Sequence, residues 1–211
     1  MTRGSAARVS RPNLLGKGRG DYQGNDSGTE RESLNILQGL FQSIQQPTTP
    51  PHIGEAFNCW TYYVALKESR VICLLMLNHT NDTELKQMME HFIDEILEPQ
   101  LKQMTDFLRN EGIDMPHGTG DKPKANEREI PSGAKMTDAE IANMLIVKLN
   151  GLLLFCFMGL FSVLRDDIGG MYYNFQGHVM AQTYTLKKLM QKRGWLLTPP
   201  FYYASKGTSQ S

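Results

Sequence analysis

The chain has 211 residues, and its 22 lysine and arginine residues balance its 22 aspartate and glutamate residues. This length favours one domain with unstructured ends. A net charge of zero provides no general attraction for nucleic acid or for an anionic membrane surface, so we expect no nucleic-acid partner.

The first segment, residues 1–30, is basic and rich in glycine and serine. Five lysine and arginine residues fall before the first acidic residue, Asp21, and no apolar run of the secretory type follows them. Such a segment cannot bury enough apolar surface to fold, so we expect a disordered arm. We also expect a disordered tail at residues 204–211, which leaves residues 31–203 as a single helical domain.

A short amphipathic helix is predicted next. Thr29 and Glu32 have the spacing of a capping box, and prolines from Pro47 onward end the helix. Apolar residues repeat between them at helical spacing: Leu34, Leu37, Leu40, Phe41 and Ile44.

Two long helices follow. The first is predicted from about His52 to His79, with an inward stripe that begins at Ile53 and Phe57. The second is predicted from about residue 82 to residue 110, and its stripe slips by one position at Pro99, where we expect a kink.

Residues 113–135 are rich in proline and glycine and too long for a tight turn, so they suit a crossover along the length of a bundle. Thr137 and Glu140 then form a capping box that starts the third long helix. Residues 151–164 of this helix contain no charge, yet they are shorter than the roughly 20 apolar residues of a membrane span. We therefore expect a buried central helix and no membrane span.

The fourth long helix is predicted from Asp166 to a stop at Gly194. Each of the four segments has about 27–30 residues, or roughly 40–45 Å of helix. The sequence therefore predicts an all-α fold: a ferritin-like four-helix bundle with a long crossover between helices 2 and 3 and a short extra N-terminal helix.

A series of landmarks in this order resembles a known family. They are Gly54-Glu55-Ala56-Phe57-Asn58 with Trp60, Leu77-Asn78-His79-Thr80-Asn81-Asp82, Gly112-Ile113 with Pro116, Ile130-Pro131-Ser132-Gly133-Ala134, Thr137-Asp138-Ala139-Glu140-Ile141, Arg165-Asp166-Asp167-Ile168, and Gly194-Trp195-Leu196 with Pro199-Pro200. The pattern covers about residues 34–203 and resembles the ferritin-like domain-of-unknown-function family of spore-forming bacteria, which is related to spore coat protein F. The resemblance implies a four-helix, ferritin-like fold and an association with spores.

Metal chemistry has weak support in the sequence. A standard di-iron bundle needs Glu-x-x-His on two of its helices, and no helix here carries that motif. A metal-binding oxidase or storage protein with iron or manganese would therefore need non-standard ligands. The candidates are Glu55, His79, Asp167 and His178, although a lone core histidine is more often a hydrogen-bonded structural residue.

The three cysteines lie in apolar helical stretches, and their odd number argues for small core residues in a reducing compartment. We therefore expect a cytoplasmic protein that can be deposited on the spore. Aromatic residues near the C-terminus are candidate interaction residues that pack on the bundle or on another subunit: Trp195, Phe201, Tyr202 and Tyr203. The leading hypothesis is a non-enzymatic, self-assembling structural protein that forms a homo-oligomer or a coat-type assembly.

Overall fold

The structure is a computed structural model that describes residues 49–125, 127–200 and 202. The predicted basic arm, the predicted N-terminal helix and residues 204–211 lie outside these residues. The described helices are α1 (Ile53–Leu77), α2 (Thr83–His91), a π-helical turn (Phe92–Leu97), α3 (Glu98–Asn110), a short 3₁₀ turn (Glu127–Glu129), α4 (Asp138–Ser162) and α5 (Asp166–Arg193). No strand occurs among the described residues, which confirms the predicted all-α bundle.

The predicted capping box of α4 and the predicted glycine stop of α5 are both present in the structure. The Thr137 hydroxyl accepts a hydrogen bond from the backbone N–H of Glu140, and the Glu140 carboxylate accepts one from the backbone N–H of Thr137. Gly112 and Gly194 adopt the left-handed conformation, with φ of 69° and 71°, just beyond the ends of α3 and α5. Asp82 caps α2 by accepting the N–H of Leu85 at 2.9 Å. Side-chain chemistry at these positions therefore sets the lengths of the helices.

The second long helix is α2 and α3 joined through the π-helical turn. This turn, Phe92–Leu97, lies just before Pro99, whose missing N–H interrupts α-helical hydrogen bonding. A π turn inserts an extra residue and rotates the following side chains. The slip in the apolar stripe is thus accommodated, and Leu85 and Leu101 on either side of the turn both reach the core.

The crossover runs along α1. The Trp60 indole donates to the backbone oxygen of Asp114 near one end of α1, and the Asn78 amide donates to the backbone oxygen of Pro123 at the other end. The chain thereby returns to the end of the bundle where α4 starts. Neighbouring long helices are antiparallel, with α1 beside both α3 and α4 and with α5 beside both α4 and α2.

The inward stripe of α1 differs from the predicted one. Ile53 and Phe57 are 89% and 61% exposed, so that part of the prediction is wrong. The buried stripe instead contains the small thiols and the tyrosines: Cys59, Tyr62, Tyr63, Leu66, Cys73 and Met76. Val71, which the heptad spacing also places on the inward stripe, is 8% exposed, so the spacing misplaces the start of the stripe and not all of it.

The prediction of a buried central helix is also wrong. Within the described residues, α4 is the one helix that is long and apolar enough to cross a membrane, yet only 28% of its most apolar stretch is buried inside the chain. A single helix of this kind is weak evidence for a membrane span, so no membrane span is evident in the described residues. Within the part of the chain that the structure describes, one face of α4 is left uncovered.

Candidate functional site

Aromatic and amide side chains fill the centre of the bundle. The Tyr62 hydroxyl donates to Oε1 of Gln100 at 2.7 Å, and Nε2 of Gln100 donates to the backbone oxygen of Phe175 at 3.4 Å. The Tyr62 ring also stacks on the Phe175 ring, with centroids 5.6 Å apart. These three side chains are at most 2% exposed. They occupy the space between facing helices in which bundle proteins hold metal ions.

The three cysteine thiols of the core are unreactive as nucleophiles or metal ligands at neutral pH. Burial raises the pKa of Cys59 and of Cys73 to about 12 and that of Cys156 to about 11. All three thiols are therefore protonated at neutral pH, whereas a metal ligand or nucleophile must be a thiolate. The Tyr172 hydroxyl is buried beside the Cys59 thiol without a well-formed hydrogen bond.

Glu55 is a structural carboxylate at one end of the bundle. Its Oε1 accepts the backbone N–H groups of Leu164 and Arg165 at 2.7 and 2.8 Å, and its Oε2 accepts that of His52 at 3.0 Å. Burial tends to raise the pKa of the Glu55 carboxyl, but the three backbone donors outweigh burial and hold the pKa below its usual value. Glu55 therefore joins the start of α1 to the connection between α4 and α5.

Asp167 lies at the same end and pairs with a buried arginine. The Arg165 guanidinium is 8% exposed, donates to both carboxylate oxygens of Asp167, and pairs with Glu111 at 2.7 Å. Burial tends to raise the pKa of the Asp167 carboxyl, but the bonds to Arg165 hold the pKa below its usual value. The Arg165 charge also lies over the Phe107 ring. This cluster of ion pairs fixes the α4–α5 turn.

The two candidate histidines lie elsewhere. Nδ1 of His79 accepts the backbone N–H of Met136 at 3.3 Å, at the opposite end of the bundle from Glu55. His178 is exposed in a groove of about 720 Å³ between the second long helix and α5, which His91 also lines. Among the described residues, no group of three or more His, Cys, Asp or Glu side chains could hold a metal ion. The structure thus brings Glu55 and Asp167 to one end but does not join them to either histidine.

Among the described residues, the outward face of α4 carries a row of exposed large apolar side chains. We define the α4 seam as the six residues that alternate three and four positions apart along this face: Met144, Val147, Gly151, Leu154, Met158 and Phe161. Val147, Leu154 and Phe161 are 69%, 60% and 86% exposed. The first half of the seam also forms one wall of an open apolar groove of about 1120 Å³ against α1. Contiguous apolar surface of this extent marks an interaction site.

The predicted C-terminal interaction residues divide into two groups. Trp195 packs against the bundle core, and its backbone oxygen accepts the Asn143 amide at 2.9 Å. Tyr202 is 92% exposed. Phe201 and Tyr203 lie outside the described residues, so an interaction through this tail stays a prediction.

Sequence reasoning missed the α4 seam, although a signal for it was present. A helix that is apolar on all sides reads as a buried one. The alternation of three and four residues from Met144 to Phe161, on the face opposite the buried stripe, is the signal of a second apolar surface. Two separate stripes on one helix predict two separate neighbours.

Residues 41–207 match the family described as "Protein of unknown function (DUF3231)". Among curated proteins, the chain is similar to "Uncharacterized protein YvdQ" of Bacillus subtilis (strain 168). The two are 28% identical over 169 residues, which are 80% of this chain and 96% of that protein.

Among solved structures, the chain is similar to a crystal structure from Bacillus halodurans C-125 that is described as "a putative spore coat protein". The TM-score is 0.71 and the identity 28%, over 74% of this chain and 98% of that one. The likeness thus extends over nearly the whole of the solved relative.

Proposed function

We propose that this chain, which belongs to the DUF3231 family of proteins of unknown function, is a non-enzymatic structural protein that self-associates in a spore-associated assembly of the coat type. Its similarity to a protein described as a "putative spore coat protein" suggests the spore as its place of action. In this proposal the protein is made in the cytoplasm as a ferritin-like bundle and deposited on the spore.

The observation that carries the proposal is the exposed apolar face of α4. Val147, Leu154 and Phe161 each expose more than half of their surface. Removing such side chains from water contributes roughly 25 cal/mol per Å² of apolar area, so a covered face is favoured over a bare one. A building block of an assembly needs a surface of this kind.

The interior of the bundle supports a structural role over a catalytic one. Tyr62, Gln100 and Phe175 close the centre through mutual hydrogen bonds and stacking. The carboxylates of Glu55 and Asp167 are engaged by backbone N–H groups and by Arg165. These groups stabilise the fold, and none of them is left free to hold a substrate or a metal ion.

Two measurements test the proposal. The full chain, fused to a fluorescent protein and produced in sporulating Bacillus subtilis, should collect around the developing spore, with the fluorescent protein alone as the control. Sedimentation velocity of the untagged full chain should show a dimer or larger species at micromolar concentration. A fusion that stays diffuse throughout sporulation would contradict the spore role, and a chain that stays monomeric would contradict self-association.

A further inference from the structure

The exposed α4 seam has the geometry of a helix–helix interface. Its six members alternate three and four residues apart over eighteen positions, from Met144 to Phe161, which is roughly 26 Å of helix. That alternation keeps one line of side chains facing a partner helix along its whole length.

Gly151 lies within this seam, and no described residue packs against the position that its side chain would occupy. A Cβ atom added to Gly151 would meet nothing within 4 Å, whereas one on Gly159 of the same helix would meet the Tyr172 ring at 2.5 Å. Glycine inside a helix costs about 1 kcal/mol relative to alanine. Packing against Tyr172 therefore explains Gly159, whereas at Gly151 the described residues leave open space beside the α4 backbone that a closely approaching partner side chain can fill.

The seam is complementary to itself. When two copies of α4 lie antiparallel about a two-fold axis between residues 152 and 153, Gly151 of one copy faces Leu154 of the other. The same operation places Met144 opposite Phe161 and Val147 opposite Met158. A large side chain thus enters the space that the glycine leaves, as packed interfaces require. A two-fold interface uses one patch on both copies, so no second surface is needed.

The exposed apolar area and the distribution of charged residues are both consistent with this pairing. Large apolar residues with substantial exposure line the seam and the adjoining end of the bundle: Ile53, Phe57, Met144, Val147, Leu154, Phe157, Met158, Phe161 and Leu164. At roughly 100 Å² each, they offer on the order of 900 Å² per copy, against about 800 Å² per partner in a standard interface. Within the paired stretch, residues 144–161, Lys148 is the one charged residue, and its side chain is half-buried.

We infer that the α4 seam is a self-association site, in which two copies of this chain pair their α4 helices antiparallel with Gly151 against Leu154. This inference rests on the proposed self-association and assigns a surface and a register to it. The paired copies form the dimeric unit from which a larger assembly is built.

The test uses the full chain and sedimentation velocity. Leu154→Glu places a charge in the seam and should shift the protein to a monomer, with at least a tenfold higher dissociation constant and unchanged helical circular dichroism. Gln103→Glu, which adds the same charge to an exposed position on α3, is the matched control and should stay dimeric. A second comparison tests the register: Gly151→Leu should weaken the dimer, and the double variant Gly151→Leu/Leu154→Gly should restore it.

The outcomes distinguish self-association of the chain from the assignment of the α4 seam as its interface. A dimer that tolerates Leu154→Glu overturns the assignment of the seam but leaves self-association in place. A monomeric wild-type chain overturns both. In that case, flotation with vesicles of phosphatidylglycerol and phosphatidylethanolamine, when it is lost in Leu154→Glu, would assign the seam to a lipid surface instead.

Discussion

The Tyr172 ring lies 2.5 Å from the position that a Cβ atom on Gly159 would take. Both residues are buried, and the absence of a side chain on Gly159 lets the Tyr172 ring of α5 lie directly on the α4 backbone. Real Cβ contacts are never this short, so only glycine fits at this position while Tyr172 keeps its place. The tyrosine in turn packs edge-on against Tyr62 in the centre of the bundle.

Replacing this glycine should therefore strain the core. We expect Gly159→Ala to lower the free energy of unfolding by about 1–2 kcal/mol, because overpacking outweighs the helix propensity gained by alanine. Gly177→Ala on α5, where nothing lies within 4 Å of an added Cβ, is the control. It should leave stability unchanged or raise it by up to about 1 kcal/mol. Urea unfolding curves that coincide for the two variants would contradict the strain that we expect from a side chain at position 159.

Glu55 should make stability depend on pH. We expect Glu55→Gln to lower the free energy of unfolding at pH 7 by about 1.5–3 kcal/mol, since charged hydrogen bonds are lost and the amide N–H₂ meets a donor. The folded-state pKa of this carboxyl lies below its usual value of 4.5. Its stabilisation is thus full above that value and is lost as pH falls through the folded-state pKa, so the two curves should converge in acid.

The matched control for Glu55 is Glu140→Gln. Glu140 accepts the backbone N–H of Thr137 in an exposed capping box, whereas Glu55 accepts three N–H groups while 2% exposed. We expect the exposed variant to lose clearly less stability at pH 7 in urea unfolding. Equal losses would mean that Glu55 acts only as a helix cap and does not join the helix ends.

The metal alternative makes a separate prediction. We expect mass spectrometry to find iron and manganese well below one ion per chain in untagged protein purified without chelator from metal-replete cells, because Glu55 and Asp167 are already engaged. His178→Ala, at an exposed position, should change neither metal content nor folding. Near-stoichiometric metal that disappears in His178→Ala would establish a metal site of non-standard ligands.

The C-terminal tail can be separated from the bundle by two truncations. Ending the chain after Pro200 removes Phe201, Tyr202 and Tyr203 and should weaken self-association without changing the unfolding curve, because Tyr202 is 92% exposed. Ending it after Gly194 should also lower stability, because Trp195 leaves the core and its bond to Asn143 is lost. Unchanged sedimentation of the shorter deletion would remove the tail from the list of interaction residues.

The fold could be predicted from local signals because capping and stop residues act within a few positions. The Thr137–Glu140 capping box and the glycines after α3 and α5 occur where the sequence places them. Which face of a helix is buried depends on every neighbouring helix at once. In α1 the large apolar residues Ile53 and Phe57 proved exposed, and the smaller Cys59 and Cys73 proved buried.

The candidate site was less accessible to sequence reasoning for a related reason. Glu55 looked like a metal ligand because its position near the inner stripe could bring it to ligands on other helices. Two of its three partners are instead backbone N–H groups more than a hundred residues away in the chain. Backbone donors leave no residue-type signature. The α4 seam left a clear signature in its spacing, but the same residues are also consistent with a fully buried helix.

The most direct test of the central claim is a cross-link between residues that only pairing brings together. Gly151→Cys and Leu154→Cys variants of the full chain, mixed and oxidised with copper–phenanthroline, should form an intermolecular disulfide that joins one variant to the other. The native thiols are buried and have raised pKa values, so they do not compete. Gln103→Cys in place of either variant should give no such product. Efficient joining of Gly151→Cys to Leu154→Cys supports antiparallel pairing of α4, and a yield no higher than that of the Gln103→Cys control would contradict it.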